Sequence, residues 1–384
     1  MTIVASGRTV TSGGCGRRLR LPHQPMLRHL VLALGGALML FAVTSAVGPY
    51  TDYQIGQIGI DAVAIAGLTL LTGTSGQISL GQGAFIMVGA YGAGMLFVHT
   101  KLPIVLALSL GVLVSAAAGV LIGLPASRLR GPYLAGMTLA LAIGLPAIPV
   151  EFASVFGGEQ GLTVTPPVPP TGVDPQRWLT WIVLVAVLVM LVLLGNLVRS
   201  RFGRAFRAVR DDEVAAAISG ISVGRTRMVA FAVSAAAAGL AGGLLGLSTG
   251  GVIPDAFSVG LSISLLAGMV LGGTGSILGA WWGAIIIVYA PQWSTTVSSG
   301  LGLRQGQSSN LALLFYGLVL IVVILVAPDG IQGRLVRLWE LVARRMRGPG
   351  AGAGDGGTGS ETRAGGGGSA DLETEDQETR EAAT

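Results

Sequence analysis

The chain has 384 residues, 51% of them hydrophobic and only 11% charged, with a mean hydropathy of +0.71. An ordinary soluble domain runs roughly 25% charged, so there is too little charge to cover a water-facing surface, and a large soluble enzyme core is excluded. The formal net charge of +5 comes from basic residues set between apolar runs rather than gathered in a soluble patch, which argues against nucleic acid as a partner.

Apolar stretches long enough to cross about 30 Å of hydrocarbon fall near 27–48, 54–72, 78–98, 103–125, 132–152, 178–198, 228–250, 257–273, 278–294 and 310–327. They predict an all-α polytopic membrane protein with about ten transmembrane helices. Thr44-Ser45-Ala46 resembles a small-residue cleavage site. The polar segment before the first span is long, however, and its apolar run exceeds that of a signal peptide, so it reads as a retained anchor after a cytoplasmic segment at 1–26. Late in the fifth span, Pro146 and Pro149 each remove an amide donor and should bend it. The stretch 257–273 is short and ends in Gly272-Gly273-Thr274-Gly275, so a re-entrant segment is the alternative there.

Threading these spans alternately puts Arg17 to Arg28, Arg128, Arg130, Arg199 to Arg227 and Arg334 to Arg347 on one side, leaving only Lys101, Arg177 and Arg304 on the other. Arg and Lys flanks favour the cytoplasm, so both termini are expected there and the number of spans should be even. Beyond Pro328, Ile331, Leu335, Leu338, Trp339 and Val342 can share a face opposite arginines, which predicts a juxtamembrane amphipathic helix over 331–347. From 348 to 384 the chain is a Gly-rich acidic tail with little to bury, and disorder is expected.

Much chemistry is absent. Gly73-Thr74-Ser75-Gly76 and Gly272-Gly273-Thr274-Gly275-Ser276 superficially suggest phosphate cradles, but no Gly-Lys-Ser/Thr follows either, and the only lysine is Lys101. The chain should not bind ATP itself. His23 and His29 lie at the amino-terminal edge and His99 at the outer end of the third span, no His-Glu-x-x-His is present, and Cys15 is the single cysteine, so no catalytic centre, metal or cofactor is expected.

The loop from Arg199 to Arg227 carries more information. Asp211-Asp212-Glu213 places acids where a helix amino terminus favours negative charge and where an Asp caps free N–H groups. Val214, Ala217, Ile218 and Ile221 follow at helical spacing, with Gly220 near the expected stop, predicting a short amphipathic helix. Such a helix could rest on lipid, but its alanines are small, which suits a protein groove better.

Glu213-Val214-Ala215-Ala216-Ala217-Ile218-Ser219-Gly220-Ile221 resembles the EAA loop of ABC importer permeases, whose coupling helix sits on an ATPase. Phe202-Gly203-Arg204, Ala205 to Asp212, Ala230-Phe231, Ala238 to Gly242 and Val270 to Ser276 resemble the LivM-type permease of branched-chain amino acid importers. So do Gly76 to Phe85, Gly89-Ala90-Tyr91, Leu129 to Ala135 and Thr138-Leu139-Ala140, in order over roughly 50–330. Gln82, Thr69 and Pro132 depart from the family pattern.

The resemblance implies a permease domain at 27–330 with a coupling loop at 199–227, in the bacterial plasma membrane. Asp212, Glu213, Ala215, Ala216, Gly220 and Ile221 would meet the ATPase. The implied partners are a second, LivH-like permease, two ABC ATPases and an extracytoplasmic binding protein, with ATP hydrolysis on those separate chains. The cargo would be branched-chain amino acids or a related small polar solute, moved by alternating access.

Gly76 to Gly83 carry hydrogen-bonding groups where a span should be apolar, so a locally opened helix lining a polar cavity is expected. Gln77, Ser79, Gln82 and Thr138 are the candidate path-lining residues. Gly119 and Gly123, Gly239 and Gly243, and Gly279 and Gly283 are spaced for close helix packing. Asp61 is the one acid deep in an apolar run, expected to be packed or protonated. A channel or ion-coupled secondary transporter using Asp61 is the alternative function.

Overall fold

The computed structural model describes residues 48–100, 102–129 and 131–300, together with Thr44, Gly317, Ile321, residues 330–334 and Arg337. The expected first and tenth spans, the amphipathic helix at 331–347 and the tail at 348–384 lie wholly or largely outside the described residues. All elements below belong to the first of two units, which ends at Val336.

Helix α1 (Pro49–Leu68) starts with proline at its first position, where the missing N–H has no intrahelical partner to lose. It continues into a π-helical turn, Thr69–Thr74. Three hydroxyls bond back to carbonyls one turn earlier: Thr69 to Ile65 at 2.8 Å, Thr74 to Leu70 at 2.6 Å and Ser75 to Leu71 at 2.7 Å. Such bonds compete with the regular ladder and accompany its widening. The chain then runs without helix from 75 to 81 before α2 (Gln82–His99). The expected span at 78–98 therefore begins four residues late, because its first part is unwound, as the glycines and polar groups predicted.

Helices α3 (Ile104–Ala126), α4 (Pro132–Gly144), α5 (Ala147–Glu151) and α6 (Ala153–Phe156) follow. The break between α4 and α5 falls at Leu145 and Pro146, where the sequence predicts the bend. Helix α7 (Pro175–Arg199) is capped by Asp174, whose carboxylate accepts from Gln176 N at 2.9 Å. Two short helices, α8 (Arg201–Asp211) and α9 (Glu213–Ile218), separate it from α10 (Val223–Thr249). Helices α11 (Val259–Gly272) and α12 (Gly279–Gly300) complete the described set.

Among the described residues, six helical stretches are long and apolar enough to cross a membrane: Pro49–Thr74, Gln82–His99, Ile104–Ala126, Pro132–Glu151, Pro175–Arg199 and Val223–Thr249. The 14 residues of α11 rise about 21 Å, short of a bilayer core of about 30 Å. The architecture is mostly helical. The all-α expectation lacked one small feature, an antiparallel pair of two-residue strands, β1 (Leu162–Thr163) and β2 (Gly251–Val252), with Leu162 opposite Val252.

Helix α10 lies at the centre, packed on α3, α2 and α1. Its alanines and glycines allow this: a Cβ on Gly242 would collide with Ile86 O of α2, and one on Gly239 with the Ser115 side chain of α3. Ser115 Oγ in turn lies 3.0 Å from Phe85 O and 2.7 Å from Ala235 O, pinning three helices. Each of the three glycine pairs faces another helix of this same chain: Gly119 and Gly123 face α10, Gly239 and Gly243 face α3, and Gly279 and Gly283 face α11. They serve internal close packing.

Candidate functional site

The loop after α7 folds into an elbow. Ser200 caps α8, its Oγ accepting from Phe202 N at 3.1 Å. Gly203, Phe206 and Val209 form the buried face of α8, and a side chain on Gly203 would collide with Val198 O. Arg207 Nη1 donates to that same carbonyl at 3.1 Å, closing the fold-back onto α7.

Asp212 is extended, and its Oδ1 accepts from Val214 N at 2.8 Å and Ala215 N at 3.0 Å, satisfying two orphan donors at the start of α9. The other end closes in a Schellman motif. Ile221 N donates to Ala216 O and Gly220 N to Ala217 O, both at 3.0 Å, with Gly220 left-handed at φ +83°. The expected acid-capped helix with a glycine stop is present, but shorter than 211–221. Asp211 belongs to the end of α8 instead, paired with Arg210 at 2.9 Å.

The six expected coupling residues divide by orientation. Glu213 is half-buried and paired with Arg227 of α10, and Ala216 is 4% exposed. Asp212, Ala215 and Gly220 face outward, while Ile221 is half-buried. Val214 and Ile218, which the helical spacing put on one face, are 68% and 83% exposed. With Ala217 they border a groove of about 420 Å³ whose far wall is Ser127, Arg128, Val223, Gly224 and Arg227. Arg227 Nη1 also donates to Ser127 O at 3.3 Å, tying α10 to the end of α3. No local signal in the sequence marks Arg227 as the partner of Glu213.

The expected path residues come together around the unwound segment. Gln77, Ser79, Gln82 and Thr138 are all buried. Gln82 bridges two helices, donating from Nε2 to Ala64 O at 3.0 Å and accepting at Oε1 from Ser234 Oγ at 3.3 Å. Thr138 Oγ1 accepts from Leu80 N at 3.0 Å, Ser79 Oγ accepts from Gly81 N at 3.3 Å, and Ser262 Oγ accepts from Gly83 N at 2.9 Å. Gln77 Nε2 donates to Ser75 Oγ at 2.8 Å, while its buried Oε1 has no partner among the described residues. In this conformation the side chains satisfy the unwound backbone from within, as backbone away from water requires.

Asp61 is half-buried on α1 and makes no hydrogen bond or ion pair with any described residue. On the same helix, Gln57 donates to Tyr53 OH at 2.9 Å, and Gln54 donates to Gln292 of α12 at 2.7 Å. Near its start, the fully buried Asp52 pairs with Arg177 of α7 at 3.3 Å.

A family profile for the permease component of branched-chain amino acid transport systems matches residues 50–324, taking in both the unwound segment and the elbow. The chain belongs to this family. Like the other members it is a multi-pass plasma-membrane protein. It is similar to LivM, a high-affinity branched-chain amino acid transport permease of Salmonella typhimurium, at 34% identity over 247 residues, 58% of each chain. It spans less than two thirds of that relative's length. LivH of the same organism is 30% identical over 71% of this chain and 91% of its own length. RbsC, a ribose import permease of Escherichia coli, is 28% identical over 81% and 96%. No solved structure matches the chain. The LivM-type resemblance read from the sequence blocks is thus borne out.

Proposed function

We propose that this family member is the transmembrane permease subunit of an ABC importer, moving branched-chain amino acids or a related small polar solute by alternating access. One observation carries the reading: α9 is capped at both ends, anchored by Glu213 and Ala216, and leaves Val214 and Ile218 outward. An apolar pair held out on a short rigid helix is a surface built to be covered by a protein. One of the assembly's two ABC ATPases would cover it, with Asp212, Glu213, Ala215, Ala216, Gly220 and Ile221 setting its shape. A LivH-like second permease and an extracytoplasmic binding protein complete the assembly. In this reading the chain has about ten spans with both termini cytoplasmic, which puts the arginine-rich elbow on the ATP side.

Mechanistically, ATP binding and hydrolysis on the partners move α9, and the spans answer by opening to one face or the other. The buried set Gln77, Ser79, Gln82 and Thr138 then represents a closed path whose internal bonds exchange for contacts with solute when the unwound segment shifts. Choice of solute is shared with the binding protein. The relatives named above include a ribose permease, and sugars are the second class to assay.

Uptake of radiolabelled L-leucine by cells carrying variants separates this reading from an ion-coupled carrier. Changing Glu213 to Lys sets a cation against Arg227 and should lower uptake by about tenfold or more, as breaking a largely buried pair does. Asp61→Asn should retain uptake within about threefold. The opposite pattern, with Glu213→Lys silent and Asp61→Asn inactive, would overturn the proposal in favour of a carrier that titrates Asp61.

A further inference from the structure

The two glycine turns that resemble phosphate cradles meet each other, and the elbow reaches the first of them. A side chain on Gly73 would collide with Thr274 O of the turn between α11 and α12. Into this junction comes Arg210, from the last turn of α8. Its Nη1 donates to Gly73 O at 2.8 Å. Its stem lies over Gly76, where a Cβ would sit 2.7 Å from Arg210 Cγ, and Gly76 has φ +73°, a conformation other residues rarely adopt. The guanidinium thus covers a carbonyl at the carboxyl end of the π-helical turn, where the chain dipole is negative. Asp211, two positions before Glu213, holds the same guanidinium at 2.9 Å.

A second contact runs from the first residue of α9 through the helix that follows it. Glu213 pairs with Arg227, and the Arg227 carbonyl lies 3.5 Å from Gln77 Nε2. Both flanks of α9 therefore touch one stretch of five residues, Gly73 to Gln77, which joins α1 to α2. That stretch begins within the π-helical turn, whose irregular ladder takes up a change of register at smaller cost than a regular helix.

We infer that Arg210 is a positioning residue that carries the movement of α9 to the Gly73–Gln77 turn and so sets when the unwound segment opens. The inference rests on the reading that partner ATPases move α9. Arg210 is suited to the task because its side chain is 40% exposed, lying across glycine notches rather than filling the core. Its loss should cost coupling and little stability.

The test uses the tagged chain purified from its own cells with the subunits that accompany it, assayed for ATP hydrolysis and, in proteoliposomes, for uptake of radiolabelled L-leucine. Arg210→Met keeps the stem and removes every donor. Leucine moved per ATP hydrolysed should fall by about tenfold, with hydrolysis and subunit content within about twofold of the parent. Arg210→Lys restores one donor and should recover coupling to within about threefold. Arg201→Met, on the exposed side of the same elbow, should leave the ratio unchanged. Parental coupling in Arg210→Met overturns the inference, as does loss of the accompanying subunits or a Lys variant as uncoupled as Met. A parental preparation that contains no ATPase, or that moves leucine without ATP, overturns the proposed function itself, a result distinct from each of these.

Discussion

The unwound segment at 75–81 and the elbow at 201–218 both interrupt the run of spans, and they solve opposite problems. In the first, polar side chains are buried and bonded inward: Gln82 is fully buried between Ala64 O and Ser234, and Thr138 serves Leu80 N. In the second, apolar side chains face out: Val214 and Ile218 are mostly exposed on a helix held by its caps and one ion pair. Buried polarity ties a segment to its own fold, whereas exposed apolar surface leaves it incomplete without another chain. A change in the segment should therefore register as lost stability, and one at the outward apolar residues of α9 as lost assembly.

The largest effect on stability is expected for Gln82→Leu. The substitution leaves Ala64 O and Ser234 Oγ without their partner in the core, a loss of about 1–3 kcal/mol. Thermal unfolding in detergent should show a lower midpoint, and leucine uptake should fall with it. An unchanged midpoint would show that these bonds do not hold the fold, and unchanged uptake would remove Gln82 from the proposed path.

Asp212→Ala comes next. It strips two bonds from the start of α9, costing about 1 kcal/mol locally. Hydrogen exchange at Val214 and Ala215 should accelerate while the amides of α10 stay protected. Equal acceleration in both would erase the distinction between an independent elbow and a fold-bound segment.

Ile218→Ser should be the quietest in the isolated chain, within about 0.5 kcal/mol, because the side chain is already exposed. Its effect should appear on ATPase retention during purification, which weakens severalfold. Retention equal to the parent would place the partner's contact elsewhere on the elbow.

Much of this contrast is legible in the residues. Asp212 and Gly220 announce the ends of α9, since a side-chain cap and a left-handed position each demand a particular residue type. Glycines and polar groups at 76–83 predict the opening, because a lipid-exposed span has no use for them. Orientation is harder. In a membrane helix both the core-facing and the lipid-facing sides are apolar, so the sequence of α3 or α7 does not reveal which side is buried. Helix α8 lies outside that regime and shows its buried face, Gly203, Phe206 and Val209, at ordinary amphipathic spacing. The bond from Arg210 to Gly73 joins residues 137 apart and leaves no local trace, nor does the pairing of Glu213 with Arg227. The π-helical turn escapes too, since the threonines and serine that accompany it occur in regular helices as well.

Helix α10 has a further consequence. Its 27 residues contain no proline and rise about 40 Å as one rod. Arg227 stands near its first turn, Gly242 is wedged against Ile86 O in its second half, and β2 follows shortly after it, clipped to β1. Under the alternating access proposed above, a rod gripped in that way would act as a see-saw: a tilt at the arginine end would arrive at the strand clip with its direction reversed. Narrowing one mouth of the bundle and widening the other would then be a single motion about one fulcrum of glycine, with no relay of small shifts between them.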